Sequence, residues 1–195
     1  MLHRREFVKQ LLFDRGDLLV ICGLGTPTYD VAAADDDRSN FYLWGAMGSA
    51  SMVGLGLALA QPDRRVAVVT GDGEMLMGLG SLATVGVKQP PNLAIVVLDN
   101  QHYGETGMQP SHTHSGVSLV DVALGCRFKQ ARSFEKAEET PLAREMLYSR
   151  PGPQFIHAYV AAEQLEQVLP ERDGVILARN FTDRLRVGGR QSQWK

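Results

Sequence analysis

Two short apolar runs, Val66 to Thr70 (VAVVT) and Leu93 to Leu98 (LAIVVL), bracket a glycine-bounded helical stretch. This pairing constrains the fold more than any other feature of the chain. Runs this short and rich in branched residues read as strands buried on both faces. Gly71-Asp72-Gly73 stops the first run and Asp99-Asn100 ends the second. Between them, residues 74–88 have helical spacing and length, and Pro90-Pro91 closes that helix. Strand, crossover helix and strand return with right-handed parallel topology. Both strands then finish at one edge of the sheet, where Asp72 and Asn100 should face each other. The expected class is α/β: a doubly wound, mainly parallel sheet with helices on both faces.

That edge is where open α/β sheets bind ligands. Gly71 and Gly73 let backbone approach a ligand with no Cβ in the way. The turn leads into a helix N-terminus, whose free N–H groups favour an anion. One carboxylate, one amide oxygen and nearby carbonyls form a hard oxygen set, which suits Mg²⁺ that keeps further bonds to phosphate. The residues alone therefore point to a metal-bridged diphosphate site. An ordinary strand–helix–strand unit with a glycine turn is the plainer alternative.

Gly71-Asp72-Gly73 followed by Asp99-Asn100, with Gly45-Ala46-Met47-Gly48 upstream, resembles the cofactor motif of thiamine-diphosphate enzymes. The resemblance is to their diphosphate-binding domain, over residues 3–186, and it implies the thiamine-diphosphate-binding fold. The first residue of that family's Asn-Asn pair is Asp99 here. Carried over, Asp72 and the Asn100 side chain ligate Mg²⁺, and His102 supplies a backbone carbonyl. Gly71, Gly73, Tyr103 and Gly104 lie against the diphosphate, with the Glu74 N–H turned toward it and its side chain away. Thr26 is a candidate contact from the loop after the first strand. The Gly45 carbonyl would accept from the aminopyrimidine, and Met47 would prop the cofactor in its bent shape, although Met47 also reads as core filler.

The remaining elements follow in order. Residues 3–13 read as an amphipathic helix and 17–22 as the first buried strand. Gly23-Leu24-Gly25 is not a dinucleotide fingerprint, because Thr28 stands where the third glycine belongs. Asp35-Asp36-Asp37 reads as a solvated turn. A glycine-rich helix runs from Gly45 to Gln61, and its Gly48, Gly54 and Gly56 suggest close packing by other elements. Residues 101–116 form a long loop without structure of its own, functional or mobile by its length. It carries His112 and His114, which read as acid-base candidates or as incidental. A short helix at 118–125, an edge strand at 127–131, a helix at 134–148 and a last strand at 154–160 complete the domain. Short helices are expected at 164–169 and 181–186, and a frayed polar tail at 187–195.

At 195 residues with 44% hydrophobic content, one well-cored domain is expected. A net charge of −2 suggests neither a nucleic-acid nor a membrane surface. The two cysteines, Cys22 and Cys126, form no CxxC, which fits a reduced cytoplasmic protein. The resemblance implies what the chain lacks: the pyrimidine-binding domain, whose glutamate activates the cofactor. The order of its segments is similar to that in sulfopyruvate and phosphonopyruvate decarboxylases, and in the first of these the two domains lie on separate subunits. The resemblance therefore implies a subunit of a 2-oxo acid decarboxylase acting on a small anionic substrate with a pyrimidine-binding partner. Carboligation, acyl transfer or a non-catalytic role are the alternatives.

Overall fold

The computed structural model describes residues 1–188. In chain order the elements are α1 (Arg4–Leu12), β1 (Leu19–Cys22), α2 (Thr26–Asp35), β2 (Asn40–Tyr42), α3 (Ala50–Ala60), β3 (Val66–Gly71), α4 (Asp72–Met77) and α5 (Ser81–Lys88). Then follow β4 (Leu93–Asp99), β5 (His102–Tyr103), β6 (Gln109–Pro110), α6 (Leu119–Gly125), β7 (Gln130–Phe134), α7 (Thr140–Tyr148), β8 (Gln154–Tyr159) and α8 (Gly174–Gly188).

Six of the strands form one sheet in the order β2-β1-β3-β4-β8-β7, every neighbouring pair parallel. The doubly wound expectation holds. Alternation along the central strands sends side chains to two cores. Ala67, Val69, Val96 and Leu98 pack with Phe7, Leu11, Val31 and Leu147 of α1, α2 and α7. Val66, Val68, Ile95 and Val97 pack with Leu55, Leu82, Val85 and Ala123 of α3, α5 and α6. Each fully buried aliphatic side chain is worth about 1.5–3 kcal/mol, so the two-sided packing of β3 and β4 makes them the rigid base of whatever sits on their ends. A Cβ on Gly54 would overlap Val68, so that glycine lets α3 lie directly on β3. Gly56 has open space around it instead.

Several boundaries differ from the sequence reading. The helix expected at 74–88 is two helices. The first ends where the Gly78 N–H returns to the Glu74 carbonyl, at 3.0 Å. A Cβ on Gly78 would overlap the Gly48 backbone, so the chain turns there to seat the loop before α3. That loop occupies 45–49, and the helix expected from Gly45 starts at Ala50. Thr26, read as part of the loop after the first strand, instead opens the helix α2, with Pro27 in its first turn, where proline is favoured. The edge strand β7 runs on to Phe134, whose side chain is fully buried, and α7 waits until Thr140-Pro141.

Residues 164–169 form no helix. Arg4 donates to the Glu163 carbonyl and Arg5 to the Glu166 carbonyl, at 2.5 and 2.7 Å, so those oxygens are held by side chains. The short helix expected at 181–186 belongs to the 15-residue α8, which covers the β2 edge and sets the Phe181 ring, tilted, against Phe41 at 5.3 Å between centroids. The acidic run 35–37 is exposed as expected, but it has a counterion: Arg15 pairs with Asp35 and Asp37, each at 3.1 Å. Residues 189–195 of the expected tail lie outside the described residues.

Candidate functional site

The register sets the geometry of the sheet's carboxyl edge. Gly71 pairs with Leu98, so Asp72 and Gly73 leave β3 beside Asp99 and Asn100 leaving β4. A cavity opens over these ends. Its wall holds Thr26, Met47, Gly71, Asp72, Gly73, Glu74, Asn100, His102, Tyr103 and Gly104. Every candidate cofactor residue is therefore brought together except Gly45, which sits two residues before Met47 in the 45–49 loop and outside the wall.

Asp72, like Glu74 beside it, keeps one buried carboxylate oxygen unpartnered. It is buried, and its Oδ2 has no hydrogen-bond partner. Burial first, and the Asp99 charge second, push its carboxyl up to about 6, against smaller opposing help from the Ser111 hydroxyl and the backbone N–H groups. A buried carboxylate left this way calls for a cation. Asn100 is pre-oriented: its Oδ1 accepts from the His102 N–H at 2.9 Å and keeps a second lone pair. The His102 ring is tied back to the Asn100 carbonyl at 2.8 Å. Asp72 and Asn100 thus fit a hard divalent cation that retains phosphate oxygens as further ligands. Among the described residues no cluster of three or more His, Cys, Asp or Glu side chains suits a metal.

Glu74 lies on the cavity wall, and neighbouring groups engage its carboxylate. Its Oε2 accepts from the Leu24 N–H at 3.0 Å and the Thr70 hydroxyl at 2.8 Å. It thereby latches the 23–25 loop to the glycine turn. A Cβ on Gly23 would overlap this carboxylate. Gly25, with φ of 77°, has a backbone that disfavours any side chain. We expect Gly23→Ala to expel the Glu74 carboxylate and to destabilise the protein by about 1–3 kcal/mol. Adding Glu74→Ser should recover part of that loss in a double-mutant cycle read by thermal denaturation. Strict additivity would dismiss the latch.

The 101–116 stretch, read as a loop without structure, folds back as a ribbon of β5 and β6. Asp99 anchors it: one carboxylate oxygen accepts from the Gln101 N–H at 2.7 Å and the Thr113 hydroxyl at 2.9 Å, and the other meets His157 Nε2 at 2.8 Å. Ser133 completes the chain on His157 Nδ1 at 3.0 Å. The Tyr103 ring covers Gly73, and its hydroxyl meets His112 Nδ1 at 3.0 Å. His114 packs beside the His102 ring, 5.7 Å between centroids. Neither His112 nor His114 lines the cavity. Leu98, paired with Gly71, does, and so do Arg4 and Val160, for which the sequence carried no signal because they come from segments far from the glycine motif.

Known proteins are similar to this chain. The family profile "Thiamine pyrophosphate enzyme, C-terminal TPP binding domain" matches residues 29–158. The chain belongs to this thiamine pyrophosphate enzyme family. Sulfopyruvate decarboxylase subunit beta of Methanothermobacter thermautotrophicus is 36% identical to this domain over 190 residues, 95% of this chain and 97% of the relative. The subunit of the same name from Methanocaldococcus jannaschii is 37% identical over 148 residues, 73% of this chain and 78% of the relative. Phosphonopyruvate decarboxylase of Streptomyces viridochromogenes is 39% identical over 166 residues, 85% of this chain and 41% of the relative. The solved Rhodococcus jostii RHA1 thiamine diphosphate-dependent 4-hydroxybenzoylformate decarboxylase matches with a TM-score of 0.65 at 20% identity, over 84% of this chain and 33% of that chain. That last likeness concerns the fold, and this chain spans about a third of that structure. As a thiamine pyrophosphate enzyme domain, the chain places the Gly-Asp-Gly turn and Asn100 at the sheet edge where its cavity opens.

Proposed function

We propose that this chain is the thiamine-diphosphate- and Mg²⁺-binding subunit of a 2-oxo acid decarboxylase, a carboxy-lyase acting on a small anionic substrate of the sulfopyruvate or phosphonopyruvate kind. The observation that carries this is the buried, partnerless Asp72 oxygen on the same cavity wall as Asn100. The relatives' names support the substrate class. When bound, thiamine diphosphate supplies the nucleophilic carbon and the electron sink for loss of carbon dioxide.

The chain's own residues bind and orient. Asp72 and Asn100 would hold Mg²⁺ with the His102 carbonyl, and Gly71, Gly73 and Gly104 leave room for the diphosphate. Tyr103 shields Gly73. Thr26 stands at the start of α2, and Met47, 38% exposed on the wall, would prop the cofactor. The Gly45 carbonyl, just outside the wall, would meet the aminopyrimidine.

In this reading a second subunit provides the pyrimidine-binding domain with its activating glutamate, and the two form a hetero-oligomer. Met52, Leu59 and Met77 are exposed apolar side chains, between 43% and 68% accessible, that such a subunit would cover. The unpaired cysteines suit a reducing cytoplasm. Among the described residues no helix is long and apolar enough to cross a membrane.

The test is turnover by the complex that co-purifies with this chain, supplied with thiamine diphosphate and Mg²⁺. Sulfopyruvate, phosphonopyruvate and pyruvate are offered singly, with and without an aldehyde acceptor. We expect carbon dioxide and an aldehyde from sulfopyruvate or phosphonopyruvate, lost on chelation. A lengthened carbon skeleton as main product would instead make the enzyme a carboligase, and no magnesium-dependent release from any substrate would end the proposal.

A further inference from the structure

The cavity wall carries three carboxylates, Asp72, Glu74 and Glu105, and among the described residues a single Lys or Arg, Arg4. Arg4 comes from the start of α1 and reaches the site because Leu2 bridges to Val160 at the end of β8. It is 3% exposed. Its Nε donates to Asp30 Oδ2 at 2.6 Å and its Nη1 to the Glu163 carbonyl at 2.5 Å. Nη2 takes part in no hydrogen bond among the described residues. Arg5 donates to the other Asp30 oxygen at 3.0 Å. Asp30 can cancel at most one of these two guanidinium charges, so the trio keeps a net positive charge, and its buried member abuts the cavity.

A rigidly held guanidinium with donors to spare is suited to a phosphoryl oxyanion. A single Mg²⁺ held by Asp72 leaves much of a diphosphate's charge unbalanced. Resting on the function proposed above, we infer that Arg4 is a second cationic anchor of the site, binding the diphosphate end of the cofactor alongside the metal. Asp30 and the Glu163 carbonyl aim it, and the segment after β8 takes an irregular path in part to serve that purpose.

The experiment is calorimetric titration of the full chain with Mg²⁺ and inorganic pyrophosphate, comparing Arg4→Met with Arg5→Met. Both remove one positive charge and one partner of Asp30, and each leaves Asp30 with the other arginine. Only Arg4 touches the cavity. Arg4→Met should weaken pyrophosphate binding about tenfold or more, and Arg5→Met by less than about threefold. Arg4→Lys should recover part of the loss. Melting curves report folding separately, and an Arg4→Met chain too unstable to titrate is replaced in the comparison by Arg4→Lys against Arg5→Lys. Unchanged binding in Arg4→Met, or equal losses in the two Met variants, would overturn the assignment while leaving the metal site standing. Failure of the unaltered chain to bind Mg²⁺-pyrophosphate would remove the cavity reading itself, and Arg4 with it.

Discussion

Asp72→Asn should make the cofactor-free protein more stable while it abolishes magnesium-dependent binding. The buried Asp72 carboxyl, pushed up to about 6 from 3.8, holds its proton more tightly in the folded chain than in the unfolded one. The sign follows from linkage. Stability from this group is fully present below pH 3.8, falls as pH rises, and is gone above about 6. The total is on the order of 3 kcal/mol, the size of a shift that makes the ionised carboxylate a liability at pH 7 when no cation is bound. Asparagine keeps the shape and removes the charge, so the variant should melt at least about 5 °C higher at pH 7.5 and lose the downward slope of stability between pH 4 and 6. Metal and cofactor affinity should fall more than about a hundredfold, since a ligating oxygen is lost. Thermal melts across pH, with and without Mg²⁺ and thiamine diphosphate, read both effects. A variant that melts lower than the parent and still binds the cofactor within about threefold would place the cation elsewhere.

His157→Phe should be among the most damaging single changes outside the cavity. Phenylalanine fits a strand and preserves a ring beside Tyr159, whose centroid lies 4.5 Å from that of His157. It leaves one oxygen of the wholly buried Asp99 with no donor. Stranding a buried carboxylate in this way costs about 3 kcal/mol. Asp99 also holds Gln101 and Thr113, so the damage should spread to the β5–β6 ribbon and to Asn100. We expect faster amide exchange at Gln101 and Thr113, a lower melting temperature and weaker cofactor binding. Ser133→Ala, which removes only the outer hydrogen bond to His157, should cost about 1 kcal/mol or less. Equal losses from the two substitutions would show that Asp99 does not depend on the imidazole.

These two residues also show how far local reading reaches. Asp72 was legible because a glycine turn after an apolar strand is a local pattern, and the right-handed crossover rule then carries it to Asn100. His157 is a buried residue of β8. Its partner, however, is Asp99, the residue that departs from the family pair, and nothing in either stretch announces the other. The helix boundaries that differed have local causes visible in retrospect: Pro27 and Pro141 each stand in a first helical turn, where proline marks a beginning rather than a break. The split at Gly78 has no such local mark, because it answers to the backbone of Gly48 across the fold.

The amino-acid order determined the parallel sheet, its two buried central strands and the meeting of Asp72 with Asn100, since strand period, glycine stops and crossover handedness act over short spans or follow a general rule. The tertiary structure alone decided that Arg4 enters the cavity, that Glu74 latches the neighbouring loop, that Asp99 is bound by His157, and that residues 164–169 stay out of a helix. Each of those depends on side chains from separate elements competing for the same buried donors and acceptors. That competition is settled only when the elements pack, and no periodicity within one segment encodes its outcome.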